Sequence, residues 1–152
     1  MFSFLEKGKF KTKKPSETKK LGEKFGAFLK KNKKNALVFL EGPLGSGKTI
    51  FVKGIARALK IKANIKSPSF LLERKYKISK NFYFYHFDFY RLKNKKEIQI
   101  LSFKKLFEQP NKINIVVVEW PKFKDFLKPN FRFSFKIILK NEREILYEKI
   151  YF

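Results

Sequence analysis

The stretch EGPLGSGKTIF, residues 41–51, follows a short apolar run at residues 35–40 and precedes a stretch with helical periodicity. Its part from Gly42 to Thr49 fits the pattern G-x4-G-K-[ST] without a gap. In this pattern, glycines let successive backbone N–H groups point at phosphate oxygens, and the following helix adds its positive N-terminal end. A surface turn needs one or two glycines but no Lys-Thr pair at a fixed offset. The stretch therefore predicts a nucleotide-phosphate site between a buried strand and a helix.

The polar groups of this loop each have an expected role toward a bound nucleotide. The Lys48 ammonium should reach the β- and γ-phosphates, which makes it a catalytic as well as a binding residue. The Thr49 hydroxyl should ligate Mg²⁺. The predicted ATP-binding residues of this region are Gly42, Leu44, Gly45, Ser46, Gly47, Lys48, Thr49 and Ile50.

A second element of such a site is a carboxylate, because Mg²⁺ and an attacking water must be held by carboxylate or hydroxyl oxygens. Residues 116–120, Val-Val-Val-Glu-Trp, form an apolar strand that ends in Glu119. This is the layout of a Walker B strand, whose carboxyl end faces the phosphates. A glutamate at a solvated strand end would show the same pattern, so Glu119 is predicted as a metal ligand because the loop is also present.

Two further polar segments are candidates for the site. In the stretch HFDFYR, residues 86–91, the side chains of His86, Asp88 and Tyr90 share one face of a strand. A core strand with one solvated face explains this alternation equally well. The segment Ser67-Pro-Ser69 offers hydroxyls that could sense a γ-phosphate, but it also fits a plain turn.

The remaining periodicity predicts the order of elements. This order predicts an α/β fold: a P-loop NTPase-like three-layer sandwich with a mixed sheet and an antiparallel C-terminal hairpin. The predicted elements are a helix that starts at Ser16 as its N-cap, strands at 35–40, 68–77, 81–90, 113–120, 131–139 and 145–152, and helices at 48–59 and 95–108.

Length and composition bound the remaining possibilities. The 152 residues suit a single domain, assigned here to residues 16–152, after a mobile basic arm at residues 1–15. There are no cysteines, which excludes disulfides and thiolate metal sites. No apolar run is long enough for a membrane helix, and lysines interrupt the N-terminal segment, so we expect a soluble cytoplasmic protein without membrane contact.

The charge is strongly positive, with 37 Lys+Arg against 13 Asp+Glu and a net charge of +24. Clustered cations bind nucleic-acid backbones, so contact with an anionic partner is one interpretation. Most of the charge is Lys spread among Phe, Ile and Asn, which compositional bias also explains. Local clusters lie at residues 7–20 and 30–34.

Together, five segments resemble one protein family, the TsaE (YjeE) ATPase component of bacterial tRNA threonylcarbamoyladenosine synthesis. The first is SET..LG at residues 16–22, and the second extends from the glycine-rich loop through its helix at residues 42–59. The others are SPSFLLERKY at 67–76, HFDFYRL at 86–92 and VEWP at 118–121. The last three are more specific than the loop, because most P-loop proteins lack all of them.

The resemblance implies a function and roles for named residues. It implies an ATPase with ATP and Mg²⁺ as cofactors that acts with the proteins TsaB and TsaD, and it leaves open a contact with tRNA within that complex. Asp88 and Glu119 would assist the metal or the water, without an indication of which dominates. By position, the resemblance places Trp120 near the nucleotide, Thr18 near the adenosine, Arg143 on the hairpin, and Ser69 and His86 in switch-like segments.

The chain departs from the family pattern at several positions. Pro43 stands where an acidic residue is common, and Ser69 replaces the usual Thr while keeping the hydroxyl. Leu101-Ser102 replaces the usual Leu-Gly, and the segment after residue 92 is rich in lysine. These changes affect the expected partner-docking surface more than the ATP site.

Two other functions remain open from the residues alone. A small-molecule or nucleoside kinase shares the glycine-rich loop, but it usually has an arginine-bearing lid, and this chain is poor in Arg. A nucleotide-dependent RNA-binding switch that reads guanine would need a recognition loop. The nearest match, Asn94-Lys-Lys-Glu97, has Glu at its fourth place and does not follow an apolar strand.

Overall fold

The computed structural model describes residues 4, 6–66, 68, 73–94, 96–97, 103–122 and 127–150. In this part of the chain, seven strands form one sheet in the order β1-β7-β6-β2-β5-β4-β3, joined by two α-helices and one short 3-10 helix. The elements are β1 Lys7–Thr12, α1 Pro15–Asn32, β2 Ala36–Glu41, α2 Lys48–Ala58, β3 Glu73–Ser79, β4 Phe82–Asp88, the 3-10 helix Phe103–Phe107, β5 Ile113–Glu119, β6 Phe131–Leu139 and β7 Glu142–Lys149.

The centre of the sheet is parallel and its edges are antiparallel. Strand β2 lies between β5 and β6 and is parallel to both, and β4 is parallel to β5. The pairs β1–β7, β6–β7 and β3–β4 are antiparallel. The predicted mixed sheet and C-terminal hairpin are therefore confirmed. Because parallel strands end at the same edge, Leu40 and Asp88 both lie opposite Glu119 in the register.

Both faces of the sheet are covered by apolar side chains. Helices α1 and α2 cover one face, where residues such as Val38, Val117 and Phe133 are completely buried. The other face carries Phe39 and Val118, which are packed with the 3-10 helix and nearby loop residues. The sandwich therefore has three layers, as predicted. Within the predicted helix at 95–108, residues 96–97 are α-helical and Phe103–Phe107 form a 3-10 helix. Residues 98–102 lie outside the described part.

The two α-helices pack so closely that one contact leaves no room for a side chain. A Cβ atom at Gly54 of α2 would lie 2.0 Å from the carbonyl oxygen of Lys19 in α1. This approach places the first turns of α1 beside the start of α2, where the glycine-rich loop ends. Among the described residues, no helix is long and apolar enough to span a membrane.

The N-terminal segment departs from its prediction. Residues 7–12 form strand β1 on β7, so an arm without regular structure is wrong for these residues. The alternation KGKFKT explains the strand, since its three lysines are exposed while Phe10 is half-buried and Thr12 is buried. Phe4 is also buried, with its ring centroid 5.2 Å from that of Tyr147. Helix α1 begins at Pro15 with Lys14 as its N-cap, so Ser16 lies in the first turn.

Candidate functional site

The glycine-rich loop, residues 42–47, connects the carboxyl end of β2 to the first residue of α2. Gly47 is the N-cap of α2 and has a φ of +99°, a left-handed conformation that a residue with a side chain adopts only under strain. The loop thus directs the chain into the helix so that backbone N–H groups at its start face the same side as the end of β5. That arrangement can hold an anion of several charges.

Lys48, the first residue of α2, is almost completely buried, and its side chain turns back toward the start of the loop. Its Nζ donates hydrogen bonds to the carbonyl oxygens of Gly42, at 2.7 Å, and Pro43, at 2.8 Å. It also lies 4.4 Å from the ring centroid of Trp120, a cation–π contact. Burial lowers the pKa of Lys48, while the negative charges of Glu119 and Asp88 act in the opposite direction.

Thr49 and Glu119 are brought together from distant parts of the sequence. The Thr49 hydroxyl donates a hydrogen bond of 2.8 Å to Oε1 of Glu119, whose side chain is 2% exposed. Hydroxyl and carboxylate oxygens are ligands that Mg²⁺ prefers, and this ion commonly uses one or two protein oxygens together with phosphate and water. No group of three or more acidic, His or Cys side chains suited to a metal occurs in the described ranges. With its hydroxyl and carboxylate oxygens, the pair fits a Mg²⁺ that takes its other ligands from phosphate and water.

His86 and Asp88 of β4 face this pair from the neighbouring strand. His86 is completely buried, and its Nε2 lies 3.5 Å from Oε2 of Glu119. Neither ring nitrogen of His86 has a hydrogen-bond partner within the described residues. Asp88 is also buried, and its Oδ1 accepts a hydrogen bond from the backbone N–H of Tyr90. A solvated face on this strand is therefore wrong for His86 and Asp88, and only Tyr90, beyond the strand end, is exposed.

These groups line an open space that we call the carboxylate cavity, of about 410 Å³. Its mouth is formed by two exposed apolar side chains, Leu44 and Tyr90. Tyr90 contacts Trp120, with 4.9 Å between the ring centroids. The cavity is lined by Leu44, Gly45, Ser46, Gly47, Lys48, Thr49, Ile50, Asp88, Tyr90, Glu119 and Trp120.

A smaller space, which we call the threonine cavity, lies against another side of the loop and has about 150 Å³. The hydroxyls of Thr12 and Thr18, both buried, are 2.7 Å apart within it. Arg143, the second residue of β7, donates a hydrogen bond of 3.1 Å to the carbonyl oxygen of Gly45. The structure therefore places Thr18 and Arg143 beside Gly45 and Gly47, the loop glycines that both cavities share.

Five residues that line the threonine cavity were not predicted as site residues: Thr12, Lys13, Lys14, Pro15 and Asn141. Thr12 lies in the segment predicted as a mobile arm, and Asn141 lies in the hairpin turn. The alternation at residues 7–12 was a signal for β1, but no local pattern indicated that β1 would pair with the last strand. Ser69 and Leu101-Ser102 lie outside the described residues.

Comparisons with known proteins match most of the chain. A family model described as "Threonylcarbamoyl adenosine biosynthesis protein TsaE" matches residues 12–145. A tRNA threonylcarbamoyladenosine biosynthesis protein TsaE from Rickettsia felis is 37% identical over 130 residues, covering 84% of this chain and 71% of that protein. The protein of the same name from Bacillus subtilis is 32% identical over 146 residues, covering 93% of this chain and 85% of the relative.

Other relatives show the extent of the match. The TsaE protein of Haemophilus influenzae is 34% identical over 103 residues, which cover 66% of this chain but 63% of that protein. The crystal structure of Bacillus subtilis YdiB superimposes with a TM-score of 0.75 at 26% identity, covering 99% of this chain and 90% of that one. Sequence and fold thus point to the same group of proteins.

Proposed function

This chain belongs to the TsaE family of threonylcarbamoyladenosine biosynthesis proteins, and from that premise we propose that it is a Mg²⁺-dependent ATPase in this pathway of tRNA modification. It would be required for the modified nucleoside in tRNAs that read codons starting with A. It would act in the cytoplasm with the proteins TsaB and TsaD, and in contact with tRNA within their complex.

The observation that carries this proposal is the hydrogen bond between Thr49 and Glu119, 70 positions apart in the sequence. It places the first hydroxyl of α2 and the last carboxylate of β5 at one point beside the glycine-rich loop. In enzymes that hydrolyse nucleoside triphosphates, a hydroxyl and a carboxylate in these positions hold Mg²⁺ against the phosphates. A structural glycine-rich turn would not need a buried carboxylate at this place.

The loop and Lys48 would bind the triphosphate through charge and geometry. Backbone N–H groups at the start of α2, together with the helix dipole, favour phosphate oxygens. The Lys48 ammonium is held by the carbonyl oxygens of Gly42 and Pro43, and γ-phosphate oxygens would compete with these carbonyls for it. An ammonium that gains anionic partners has a higher pKa, so phosphate binding would oppose the lowering that burial causes.

The buried carboxylates of Asp88 and Glu119 would have the two remaining roles, metal binding and orientation of the attacking water. A bound Mg²⁺ would supply positive charge that offsets the negative charge developing during hydrolysis. Thr49 and Glu119 would hold it, and Asp88 and Glu119 are both placed to orient an attacking water. The variants Glu119→Gln and Asp88→Asn distinguish which carboxylate contributes more to the reaction.

We expect hydrolysis to be slow for the chain alone. The carboxylate cavity is open to solvent, and its rim carries Leu44, which is 69% exposed, and Tyr90, which is 47% exposed. Excluding water and completing the charged environment of the γ-phosphate are what accelerates such reactions. A partner that covers these two apolar side chains would close the cavity, and TsaB and TsaD are the expected partners.

The deciding experiment measures ATP hydrolysis by the purified chain, alone and with TsaB and TsaD. We expect the pair to stimulate hydrolysis, and Lys48→Ala to abolish it in both conditions. Lys77→Ala, which removes an exposed lysine in β3, opposite Tyr83 and away from the strand end that carries Asp88, is the matched control and should keep the normal rate. Phosphate transfer to a panel of nucleosides, measured in the same assay, identifies a kinase instead.

A cellular test separates the pathway from the chemistry. A strain that lacks its own TsaE is complemented with the normal chain or with Lys48→Ala, and the modified nucleoside is quantified in digested tRNA. Rescue by the normal chain alone supports the proposal. Rescue by both chains removes the role of ATP, and rescue by neither removes the role in this modification.

A further inference from the structure

A groove separate from both cavities lies between α1, α2 and the segment that follows α2. It has a volume of about 450 Å³. Its polar lining consists mainly of cations, while Ile61 and the buried Ile65 form its apolar floor. We call it the cationic groove, and its charged residues are Lys19, Lys53, Arg57, Lys60 and Lys62.

The positive charge of this groove is almost unbalanced. Among the described residues, one carboxylate pairs with it, Glu23, whose Oε1 lies 3.2 Å from Arg57. Lys19, Lys53, Lys60 and Lys62 have no ion pair there. The sequence explains why, since no Asp or Glu occurs between Glu41 and Glu73.

The exposed face of the sheet near its β1 edge is different. There, Lys9 lies 3.0 Å from Glu144, and Lys11 lies 4.0 Å from Glu142. Lysine is abundant on both surfaces, so composition alone does not explain the difference. What distinguishes the groove is that its cations converge without carboxylates between them.

Converging cations without counter-charges repel one another and destabilise the folded chain. Lys53 and Arg57 are one helical turn apart on α2, and Lys60 follows at the helix end, so the charges form a row along the groove. Lys19 and Lys53 are half-buried and line the groove, so their aliphatic stems pack against the protein while their charges remain accessible. A row of fixed cations fits a polyanion with repeated charges better than a single small anion.

We propose that the cationic groove binds the phosphate backbone of RNA, and specifically of tRNA. The choice of tRNA rests on the proposed function, since the family acts in tRNA modification. The groove itself does not depend on ATP hydrolysis, because none of its five cations lines the carboxylate cavity or the threonine cavity. Backbone contacts of this kind carry no sequence information, so recognition of a particular tRNA would come from elsewhere.

The test compares two triple variants of the full chain that remove the same charge. The groove variant is Lys53→Ala, Lys60→Ala and Lys62→Ala. The control variant is Lys7→Ala, Lys77→Ala and Lys136→Ala, which removes exposed strand lysines from β1, β3 and β6. Binding of a fluorescently labelled tRNA transcript is measured by anisotropy over a series of salt concentrations.

We expect the groove variant to bind tRNA about tenfold more weakly than the normal chain. The slope of log K against log salt concentration should become less steep by about two to three, because each phosphate contact contributes about one to this slope. The control variant should stay within about twofold of the normal chain at the same ionic strength. Equal losses in both variants, or no loss in either, would overturn the proposal in favour of diffuse charge.

Three further measurements make the outcome specific. Binding of a fluorescent ATP analogue should be unchanged in the groove variant, and its thermal unfolding temperature should not fall, because the removed lysines repel one another in the folded chain. These controls keep the tRNA test independent of the ATPase proposal. Sedimentation with phosphatidylglycerol vesicles is the competing measurement. If the groove lysines control vesicle binding but not tRNA binding, the groove belongs to an anionic membrane surface and the RNA proposal is wrong.

Discussion

The carboxylate cavity and the threonine cavity lie on either side of the same loop, but they are assembled in different ways. The carboxylate cavity collects residues from the ends of the parallel strands β4 and β5 and from the loop and helix start that follow β2. The threonine cavity collects residues from β1, α1 and the turn before β7, which are far apart in the sequence. The residues of the carboxylate cavity belong to short sequence motifs, whereas those of the threonine cavity are brought together by pairing between distant strands. We therefore expect substitutions in the two cavities to change different kinetic constants.

The largest effect is expected in the carboxylate cavity, from Glu119→Gln. This change keeps the shape but removes the charge opposite Thr49, and we expect kcat for ATP hydrolysis to fall about 10²- to 10³-fold. Asp88→Asn, measured in parallel, tells which carboxylate dominates. A kcat within twofold of normal for both variants would contradict the assignment of chemistry to this cavity.

A smaller effect is expected from the buried imidazole beside Glu119. His86→Phe removes the polar neighbour of Oε2, and we expect kcat to fall about tenfold with little change in KM, as for residues that orient a metal-binding carboxylate. His86→Gln should recover part of the loss, which a purely structural role would not predict. Tyr85→Phe, on the opposite face of β4, is the control, and thermal unfolding shows whether the variants remain folded.

In the threonine cavity the expected effect is on binding and not on the chemical step. Thr18→Val removes the hydroxyl that pairs with Thr12. We expect KM for ATP to rise about fivefold, which corresponds to the free energy of about one hydrogen bond, and kcat to stay unchanged. Thr18→Ser keeps the hydroxyl and should behave almost normally. Binding of tripolyphosphate, which has no nucleoside, should be unaffected. If tripolyphosphate affinity fell as much as ATP affinity, Thr18 would act on the phosphates and not on the nucleoside.

The smallest effect concerns the junction between β1 and α1, which supports the threonine cavity. The Glu17 carboxylate accepts hydrogen bonds from the backbone N–H groups of Lys13 and Lys14, and the first of these is the main cause that lowers its pKa from the ordinary value of 4.5. A lowered pKa in the folded state stabilises the fold above pH 4.5, and this stabilisation is lost as the pH falls through the folded-state pKa.

Glu17→Gln should therefore cost slightly less stability at low pH than at pH 7. The measurement is the denaturant midpoint of both chains at the two pH values. An equal difference at both would show that the charge of Glu17 has no part in holding this junction.

The difference between the cavities also explains how much the sequence predicted. The loop, Glu119 and Asp88 belong to short local sequence patterns. Neighbouring parallel strands have their carboxyl ends at the same edge of the sheet, so these residues are expected to lie close together. β1 was missed because pairing with β7 joins residues such as Phe10 and Ile145, and no local pattern indicates such a partner. The burial of His86 was missed for a related reason, because alternation alone does not tell whether a neighbouring layer covers a polar face.

The pairing of β1 with β7 has a consequence for how the chain folds as it is synthesised. Lys7 pairs with Glu148, so β1, which is synthesised first, cannot pair until β7 has been synthesised. Until then β1 is an unpaired edge, and its alternating lysines discourage contact with other nascent chains. The central sheet can form first, and the pocket beside Thr12 closes only when translation of the hairpin is complete.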